Sequence, residues 1–328
     1  MIMLHRRLLG ACALFAIAAG SPAASLALSV GDVVVAAPNA GLIAVNPRTG
    51  SQTLLVAGGP DTGGPTGPLA YPRDVAVDER GVLYATTNHG VVRFDPSDAD
   101  GPRTIAEMGF PSGIEWDGAG NLLVPSDIGP PTYDWGLFRV GVDGAKRLLS
   151  SGQHFNVVEN ALPAAGGGWW VGDYGEGVLR VDADGAQSQF ARVDGLWDLV
   201  LDGDRFYASG YEDVYVVDVA TGEARVLATE GPLVRPGALA LAGDGGLYVS
   251  DLAGTRGIVR IELATGAQTL IASGGLLAQG ASGMALVTAV PEPLALAQLA
   301  LGLGAIGWRR RSVRGIDAPG HARRRQRV

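Results

Sequence analysis

Residues 73–108 read RDVAVDERGVLYATTNHGVVRFDPSDADGPRTIAEM, and this stretch decides the fold. Four short runs rich in apolar and β-branched residues are separated by charged or polar turns. Runs of about five such residues, bounded by Gly, Asp, Asn or Pro, are typical of β-strands. The stretch therefore predicts strands at Asp74–Asp78, Leu83–Thr87, Val91–Asp95 and Arg103–Met108.

The same unit recurs along the chain. The six copies of its first strand have starts separated by 39, 43, 42, 40 and 45 residues. These copies begin at Asp74, Gly113, Asn156, Asp198, Ala238 and Gly283. A repeat of about 42 residues with four short strands is typical of a β-propeller, in which each repeat forms one blade.

The two ends of the repeat region complement each other. Strand 283–287 has no further strand of its unit after it, whereas the N-terminus supplies three strands, at 33–37, 42–46 and 52–56, that lack a first one. We therefore expect an all-β, six-bladed propeller that is closed by pairing of strand 283–287 with strand 33–37. Such closure removes the open sheet edges that promote aggregation.

Residues 1–27 have the parts of a secretory signal peptide. Arg6 and Arg7 precede an apolar run, and small residues follow that suit cleavage by signal peptidase. The run contains Cys12, which is the only cysteine, so the mature chain needs no disulfide chemistry in an oxidising compartment. The sequence Leu9–Cys12 also matches a lipoprotein box, which is the alternative. We expect the protein to be exported across the inner membrane.

The charge is unevenly distributed along the chain, whose net charge is −8. Residues 28–290, the predicted propeller, carry 15 basic and 31 acidic side chains, a net charge of −16. Such an acidic body excludes nucleic acid as the expected partner and tolerates cations. It contains only His89 and His154, no Cys and no Gly-x-Ser-x-Gly motif, so a nucleophilic triad is not expected and the catalytic residues are unknown.

Two groups of polar residues have a predictable place in a propeller. In an up-and-down blade, the loops entering the first strands and the loops joining strands 2 and 3 share one face. That face, the mouth, should gather Arg73, Asp74, Ser112, Asn156, Trp197, Asp198 and Arg235 from strand starts, and His89, Asp173, Tyr174, Glu176, Tyr211 and Asp251 from loops. This mixture suits a small polar ligand such as a sugar or part of a polysaccharide; an ordinary polar rim is the alternative. Glu115 and Glu159 are expected further along their strands, between blades.

Four third strands carry a central arginine, and these are Arg93, Arg139, Arg180 and Arg260. We expect them to form structural ion pairs with acids of neighbouring strands or blades; anion binding is the alternative.

The repeat unit, with Asp-x-x-Gly-x-Leu-Tyr-Val-x-Asp followed by Ile/Val-x-Arg-Ile/Val-Asp, resembles NHL-repeat propellers. It also resembles the six-bladed lactonase family of senescence marker protein and gluconolactonases. That resemblance implies a divalent cation such as Ca²⁺ over the channel, held by carboxylate and amide oxygens. Asn156 and Asp198 are the implied metal ligands, with Asp74 as a further candidate at the mouth. The family's Glu in the first blade and its Asn-Gly are missing, and Ala238 and Gly283 stand at the equivalent sites of the last two blades.

Residues 291–314 have a different composition. They comprise Pro291, Glu292 and Pro293, the apolar run 294–308, then Arg309, Arg310, Arg311 and Arg314. This order resembles the PEP-CTERM sorting signal, although the basic tail 315–328 departs from it. The resemblance implies a hydrophobic helix that anchors the protein transiently, an exosortase-type membrane protease as partner, and release to the cell surface or an exopolysaccharide matrix. A simple C-terminal anchor is the alternative.

These observations together favour a binding or structural module without a cofactor. The alternative is a metal-dependent, gluconolactonase-like hydrolase.

Overall fold

A computed structural model describes residues 28–59, 67–98 and 100–290. The predicted signal helix, the hydrophobic C-terminal helix and the sorting motif lie outside these residues. The described residues form six four-stranded antiparallel sheets, each with its first strand innermost, and therefore confirm the six-bladed propeller.

Each blade is given from the channel outward. The first consists of β24 (Gly283–Leu286), β1 (Val33–Ala37), β2 (Gly41–Val45) and β3 (Gln52–Ala57). The second consists of β4 (Asp74–Val77), β5 (Leu83–Thr87), β6 (Gly90–Phe94) and β7 (Arg103–Glu107). The third consists of β8 (Glu115–Trp116), β9 (Asn121–Asp127), β10 (Trp135–Gly141) and β11 (Lys146–Ser151).

The remaining blades follow the same order. The fourth consists of β12 (Val158–Pro163), β13 (Trp169–Asp173), β14 (Gly177–Val181) and β15 (Gln187–Ala191). The fifth consists of β16 (Asp198–Asp202), β17 (Arg205–Ser209), β18 (Val214–Asp218) and β19 (Ala224–Ala228). The sixth consists of β20 (Pro236–Leu241), β21 (Gly246–Asp251), β22 (Ile258–Glu262) and β23 (Gln268–Ala272).

The ends of the domain close the ring as expected. Strand β24 pairs with β1 in antiparallel register, so that Val33 lies opposite Leu286 and Ala36 opposite Gly283. In the part of the chain described, no helix is long and apolar enough to cross a membrane.

The core consists of apolar layers between adjacent blades. Val34, Leu42, Val75 and Leu83, for example, are fully or almost fully buried between the first and second blades. Burying each such large side chain contributes about 1.5–3 kcal/mol to the free energy of unfolding. Tight strand pairing also requires small residues: Gly90, with φ 144°, lies so close to the carbonyl of Ala106 that a Cβ atom would clash.

The fourth blade corrects one predicted register. Its innermost strand begins at Val158 and not at Asn156, and Asn160 lies opposite Gly172. Asp74 lies opposite Thr86 and Asp198 opposite Ser209, at the same height in their blades. Asn160, four residues after Asn156, is therefore the structural equivalent of the two aspartates, whereas the strand itself starts two residues after the predicted start. The third blade also differs, because only Glu115–Trp116 of the predicted 113–117 form a strand.

Candidate ligand site at the mouth of the channel

The central channel has a cavity at each end and a polar waist between them. The mouth cavity has a volume of about 230 Å³, and the cavity at the opposite end about 400 Å³. The opposite cavity is lined mainly by apolar residues such as Leu201, Leu241 and Leu286. Asp74 and Asp198 line both cavities, so they form the waist.

The two waist aspartates connect neighbouring blades. Asp74 accepts hydrogen bonds from the amide of Val75 at 2.8 Å and from the amide of Ile114, in the next blade, at 2.9 Å. Asp198 likewise accepts from Leu199 and from Leu239 of the next blade, both at 2.7 Å. The innermost strands have amides that face the channel without a ladder partner, and buried amides need an acceptor. Both carboxylates supply one.

Asn160 makes a third connection at the same height. Its Nδ2 donates to Asp198 Oδ1 at 2.6 Å and to the carbonyl of Leu199 at 3.1 Å. Its Oδ1 is buried and has no hydrogen-bond partner. Because both partners of Nδ2 are acceptors, the amide orientation is fixed, and the unpaired atom is an acceptor.

The carboxyl groups in and next to the waist have raised pKa values. Burial, followed by repulsion from Asp198, raises the pKa of Asp74 well above its ordinary value. Burial and then Asp198 raise the pKa of Glu115, which also lines the opposite cavity, to about 8. Burial raises the pKa of Asp198 to about 7, although its hydrogen-bond donors lower it. Near neutral pH these groups therefore keep much of their proton occupancy, which limits the number of like charges in the channel.

The structure brings together only some of the residues that the resemblance implies as ligands of a divalent cation. Both oxygens of Asp74 and of Asp198 already accept hydrogen bonds from amides. Asn156 is exposed, lies before β12, and does not line the mouth cavity. Within the described ranges, no three His, Cys, Asp or Glu side chains converge in a group that could hold a metal ion. The mouth cavity therefore gathers Asp74 and Asp198 of the predicted ligands but not Asn156.

The mouth cavity is lined by the residues that precede the waist position in their strands. Arg73, Ser112, Glu159, Trp197 and Ser282 occupy this height in five of the six blades. The remaining lining residues are Pro38, Tyr71, Asp74, Gly113, Asp198, Arg235 and Leu252. Trp197 Nε1 donates to the carbonyl of Ser282 at 3.5 Å, so the indole connects the fifth blade to the first.

The two arginines of the mouth are supported by aromatic rings and not by acids. The guanidinium carbon of Arg73 lies 4.0 Å from the ring centre of Phe110, and that of Arg235 lies 5.8 Å from that of Trp197. Neither arginine forms an ion pair with any described residue. Burial lowers the pKa of Arg73 despite the opposing effects of Glu159, Tyr71 and Asp74. Stacking on aromatic faces fixes the guanidinium planes and leaves their N–H edges for other partners.

The third-strand arginines are paired, as the structural interpretation predicts. Arg93 contacts Asp95 at 2.9 Å, Arg139 contacts Asp117 at 3.6 Å, Arg180 contacts Asp182 at 3.6 Å, and Arg260 contacts Asp244 at 2.8 Å. Asp95 and Asp182 follow their arginines by two residues on the same chain segment. Arg93 and Arg180 therefore pair with an acid of their own chain segment, and not with an acid of a neighbouring strand or blade as expected.

Two acids predicted at the mouth are buried and accept hydrogen bonds from the backbone amides of its loops. Asp251 is fully buried, and its Oδ1 accepts from the amides of Val234 at 3.1 Å and Arg235 at 3.0 Å, while its Oδ2 accepts from Thr255. Asp173 is also fully buried and accepts from the amides of Asn156 and Val157. Asp251 therefore positions Arg235, and neither acid lines the mouth cavity.

Sequence reasoning gathered most of the mouth correctly and misplaced one important residue. Arg73, Asp74, Ser112, Trp197, Asp198 and Arg235 surround one cavity as expected. Glu159, expected between blades, lines that cavity instead, because the register of β12 is shifted. A signal for the shift exists: Asn160 stands nine residues before Trp169, as Asp74 stands nine before Leu83. Tyr71, Leu252 and Ser282 carry no comparable signal.

Comparison with known proteins supports the fold. A crystal structure of a Bacteroides caccae protein of unknown function is 13% identical, with a TM-score of 0.60 over 78% of this chain and 98% of that chain. The gluconolactonase XC5397 of Xanthomonas campestris is 18% identical, with a TM-score of 0.53 over 65% and 78% of the two chains. A catalytically inactive virginiamycin B lyase from Staphylococcus aureus, with quinupristin, is 14% identical, with a TM-score of 0.51 over 70% and 76%.

No protein-family model and no curated protein matches the sequence. At these identities the likeness supports the propeller fold and does not establish an activity.

Proposed function

We propose that the propeller is a binding module that holds a small polar ligand in its mouth cavity. One observation carries this: two arginines that lie over aromatic rings, and that form no ion pair with any described residue, face a cavity of about 230 Å³. Ligand pockets typically combine apolar walls with a few convergent polar groups, and this cavity has that composition.

The binding proposal can be tested by isothermal titration calorimetry of the full-length chain, purified in detergent, against a panel of monosaccharides and their acids. We expect saturable binding by at least one member. A Trp197→Ala variant should lose most of the affinity, because the indole forms a wall of the cavity. Tyr215→Phe is a matched control: it changes an aromatic residue that does not line the mouth. Equal binding by wild type and Trp197→Ala would place the ligand elsewhere.

The alternative is hydrolysis of a lactone, and Glu159 is the observation in its favour. Burial raises the pKa of Glu159 to about 7, with Arg73 opposing and Asp173 and Asp198 adding to the shift. A carboxyl group with a pKa near neutrality suits general acid–base catalysis. If this alternative holds, purified protein should hydrolyse glucono-δ-lactone above the spontaneous rate, and Glu159→Gln should remove the excess. Absence of any excess rate, with and without added Ca²⁺, would eliminate it.

We further propose that the chain is exported and sorted through residues 291–311. The support is the sequence pattern, together with the position of Val290, which is 39% exposed at the end of the described domain. Mass spectrometry of the C-terminal peptide from a host with an exosortase-type protease should find residues 294–328 removed. Replacement of Pro291, Glu292 and Pro293 by Ala should leave them attached, and mature wild-type protein that retains them would refute processing.

A further inference from the structure

We infer that the mouth recognises a carboxylate, and that the ligand is a single sugar acid bound between Arg73 and Arg235. This inference rests on the proposed function, because it names the chemical class of ligand for the same cavity. Arg73 is the first reason. It is partly buried and has a weak contact to Asn88 Oδ1 at 3.5 Å, but it forms no ion pair with any residue of the described ranges. Glu159 and Asp74 offset part of the cost of burying this cation, but neither forms an ion pair with it, so an incoming anion in direct contact would compensate it further.

Arg235 supplies a second cation from another part of the ring. It belongs to the loop before β20, and its amide is held by the buried carboxylate of Asp251 at 3.0 Å. Its guanidinium lies over Trp197, whose own position is fixed by the hydrogen bond to Ser282. Two guanidinium groups that are stacked on rings present fixed N–H edges, and such edges match the two oxygens of a carboxylate.

The rest of the cavity suits hydroxyl groups and not a second negative charge. Glu159, Ser112 and Ser282 line the same walls and offer oxygen atoms to hydroxyl donors, while the indole of Trp197 offers an apolar face. Its volume of about 230 Å³ is below the usual range of roughly 300–1,000 Å³ for pockets that take drug-sized molecules. A six-carbon sugar acid combines one carboxylate, several hydroxyls and a small size.

The charge of the domain argues for one sugar unit and against a long polyanion. Residues 28–290 have a net charge of −16, so a chain of acidic sugars would be repelled wherever it left the cavity. The positive charge of the mouth is confined to the two arginines and acts over a short range. We therefore assign the site to a free monosaccharide acid.

The test is calorimetric titration of the full-length chain in detergent with D-glucuronate, D-glucose, acetate and inorganic phosphate. We expect glucuronate to bind, and glucose, acetate and phosphate each to bind at least about 10-fold more weakly. Arg73→Gln and Arg235→Gln should each weaken glucuronate binding by about 10- to 100-fold, since each removes charge-assisted hydrogen bonds. Arg225→Gln, which changes an exposed arginine of β19, should leave the affinity unchanged. Thermal unfolding of every variant checks that it is folded.

The outcomes separate this inference from the proposed function. Equal binding of glucose and glucuronate, unaffected by either arginine substitution, would overturn the carboxylate assignment and leave the binding module intact. Tighter binding of phosphate than of glucuronate would overturn it in favour of another anion. If no acidic ligand binds but a neutral sugar from the wider panel does, the inference fails alone. If nothing in the panel binds, both fail.

Discussion

The arginines at the outer strands and the arginines at the mouth show how one propeller uses the same side chain in two ways. Arg93, Arg180 and Arg260 each have an acid nearby, and the acid is supplied within the same blade. Arg73 and Arg235 have aromatic rings beneath them and no acidic partner among the described residues. Outer charges therefore contribute to the fold, whereas the charges of the mouth remain available to a ligand.

The acids differ in the same way. Asp95, at an outer strand, has a pKa below its ordinary value, because donors from Ser97 and Arg93 outweigh the effect of burial. Glu115 and Asp198, at the axis, have raised pKa values because burial dominates, and at Glu115 repulsion from Asp198 adds to it. Sites with raised pKa values and unpaired cations are where proteins commonly bind or transform ligands.

The largest expected effect comes from the buried acid that positions the mouth. Asp251→Ala removes a fully buried carboxylate that accepts from Val234, Arg235 and Thr255, so several partly buried donors lose their partner. We expect the free energy of unfolding to fall by about 3 kcal/mol. Asp244→Ala, which removes the exposed partner of Arg260, is the control and should cost less than about 1 kcal/mol. Urea denaturation measures the free energy of unfolding of both variants. Equal losses would contradict the distinction between the acid that holds the mouth loop and the acid of an exposed ion pair.

The next prediction compares the two kinds of arginine directly. Arg180 donates to the carbonyls of Trp169, Val181 and Gly167. These bonds connect β14 to β13 and to the turn between β12 and β13. Arg180→Ala should therefore lower the free energy of unfolding by about 2 kcal/mol. Arg73→Ala should change it by less than about 0.5 kcal/mol, since it removes a desolvated cation without an ion pair. A loss from Arg73→Ala as large as that from Arg180→Ala would show that the mouth arginine is structural.

Stability should depend on pH through the axial acids. Between pH values of about 4.5 and 8, folded Glu115 keeps a proton that the unfolded chain releases, so raising the pH favours unfolding. The melting temperature should therefore be higher at about pH 5.5 than at about pH 8.5. Glu115→Gln should reduce this difference, whereas substitution of the exposed Glu223 by Gln should not. A wild-type melting temperature that rises over this range would contradict the raised pKa values.

The smallest expected effect is on the pH dependence of ligand binding. The pKa of Glu159 is raised to about 7, and the charged groups that influence it are Arg73, Asp173 and Asp198. Above that pH the ionised Glu159 repels an anion, so glucuronate should bind about 3- to 10-fold more weakly at about pH 8.5 than at about pH 6. Glu159→Gln should reduce the change in affinity to what the remaining acids produce. Calorimetry at both pH values provides the check, and a dependence that survives the substitution in full would assign it to another group.

The strand pattern predicted the fold almost completely, because apolar runs and turn residues are local signals. Strands such as Leu83–Thr87 and Val214–Asp218 have the predicted bounds, and the closing pair of β24 with β1 follows from the incomplete units at the two ends. The register of the fourth blade was predicted wrongly because Asn156-Val-Val and Asn160-Ala-Leu are both plausible strand starts. The pairing of Asn160 with Gly172 distinguishes them, in agreement with the nine-residue spacing from Asn160 to Trp169.

The candidate site was less predictable, since it depends on side-chain partners and not on strand positions. The alternation of loops in an up-and-down blade placed Arg73, Trp197 and Arg235, at the starts of first strands, on one face. It did not reveal that Asp173 and Asp251 turn inward to bind amides, because a buried loop-holding acid and an exposed ligand-binding acid look alike in sequence. The local i, i+2 spacing of Arg93 with Asp95 was visible and would have identified the closest partners.

The closing pair of strands also fixes how the domain is presented. β24 runs from Ser282 at the mouth towards Leu286, and β1 begins opposite Leu286 and runs back to Pro38 at the mouth. Thr288 lines the cavity at the opposite end of the channel. Both ends of the domain therefore leave from the face opposite the mouth. Anything attached through the C-terminal segment would hold the propeller by its base, with the arginine-lined opening directed away from the support.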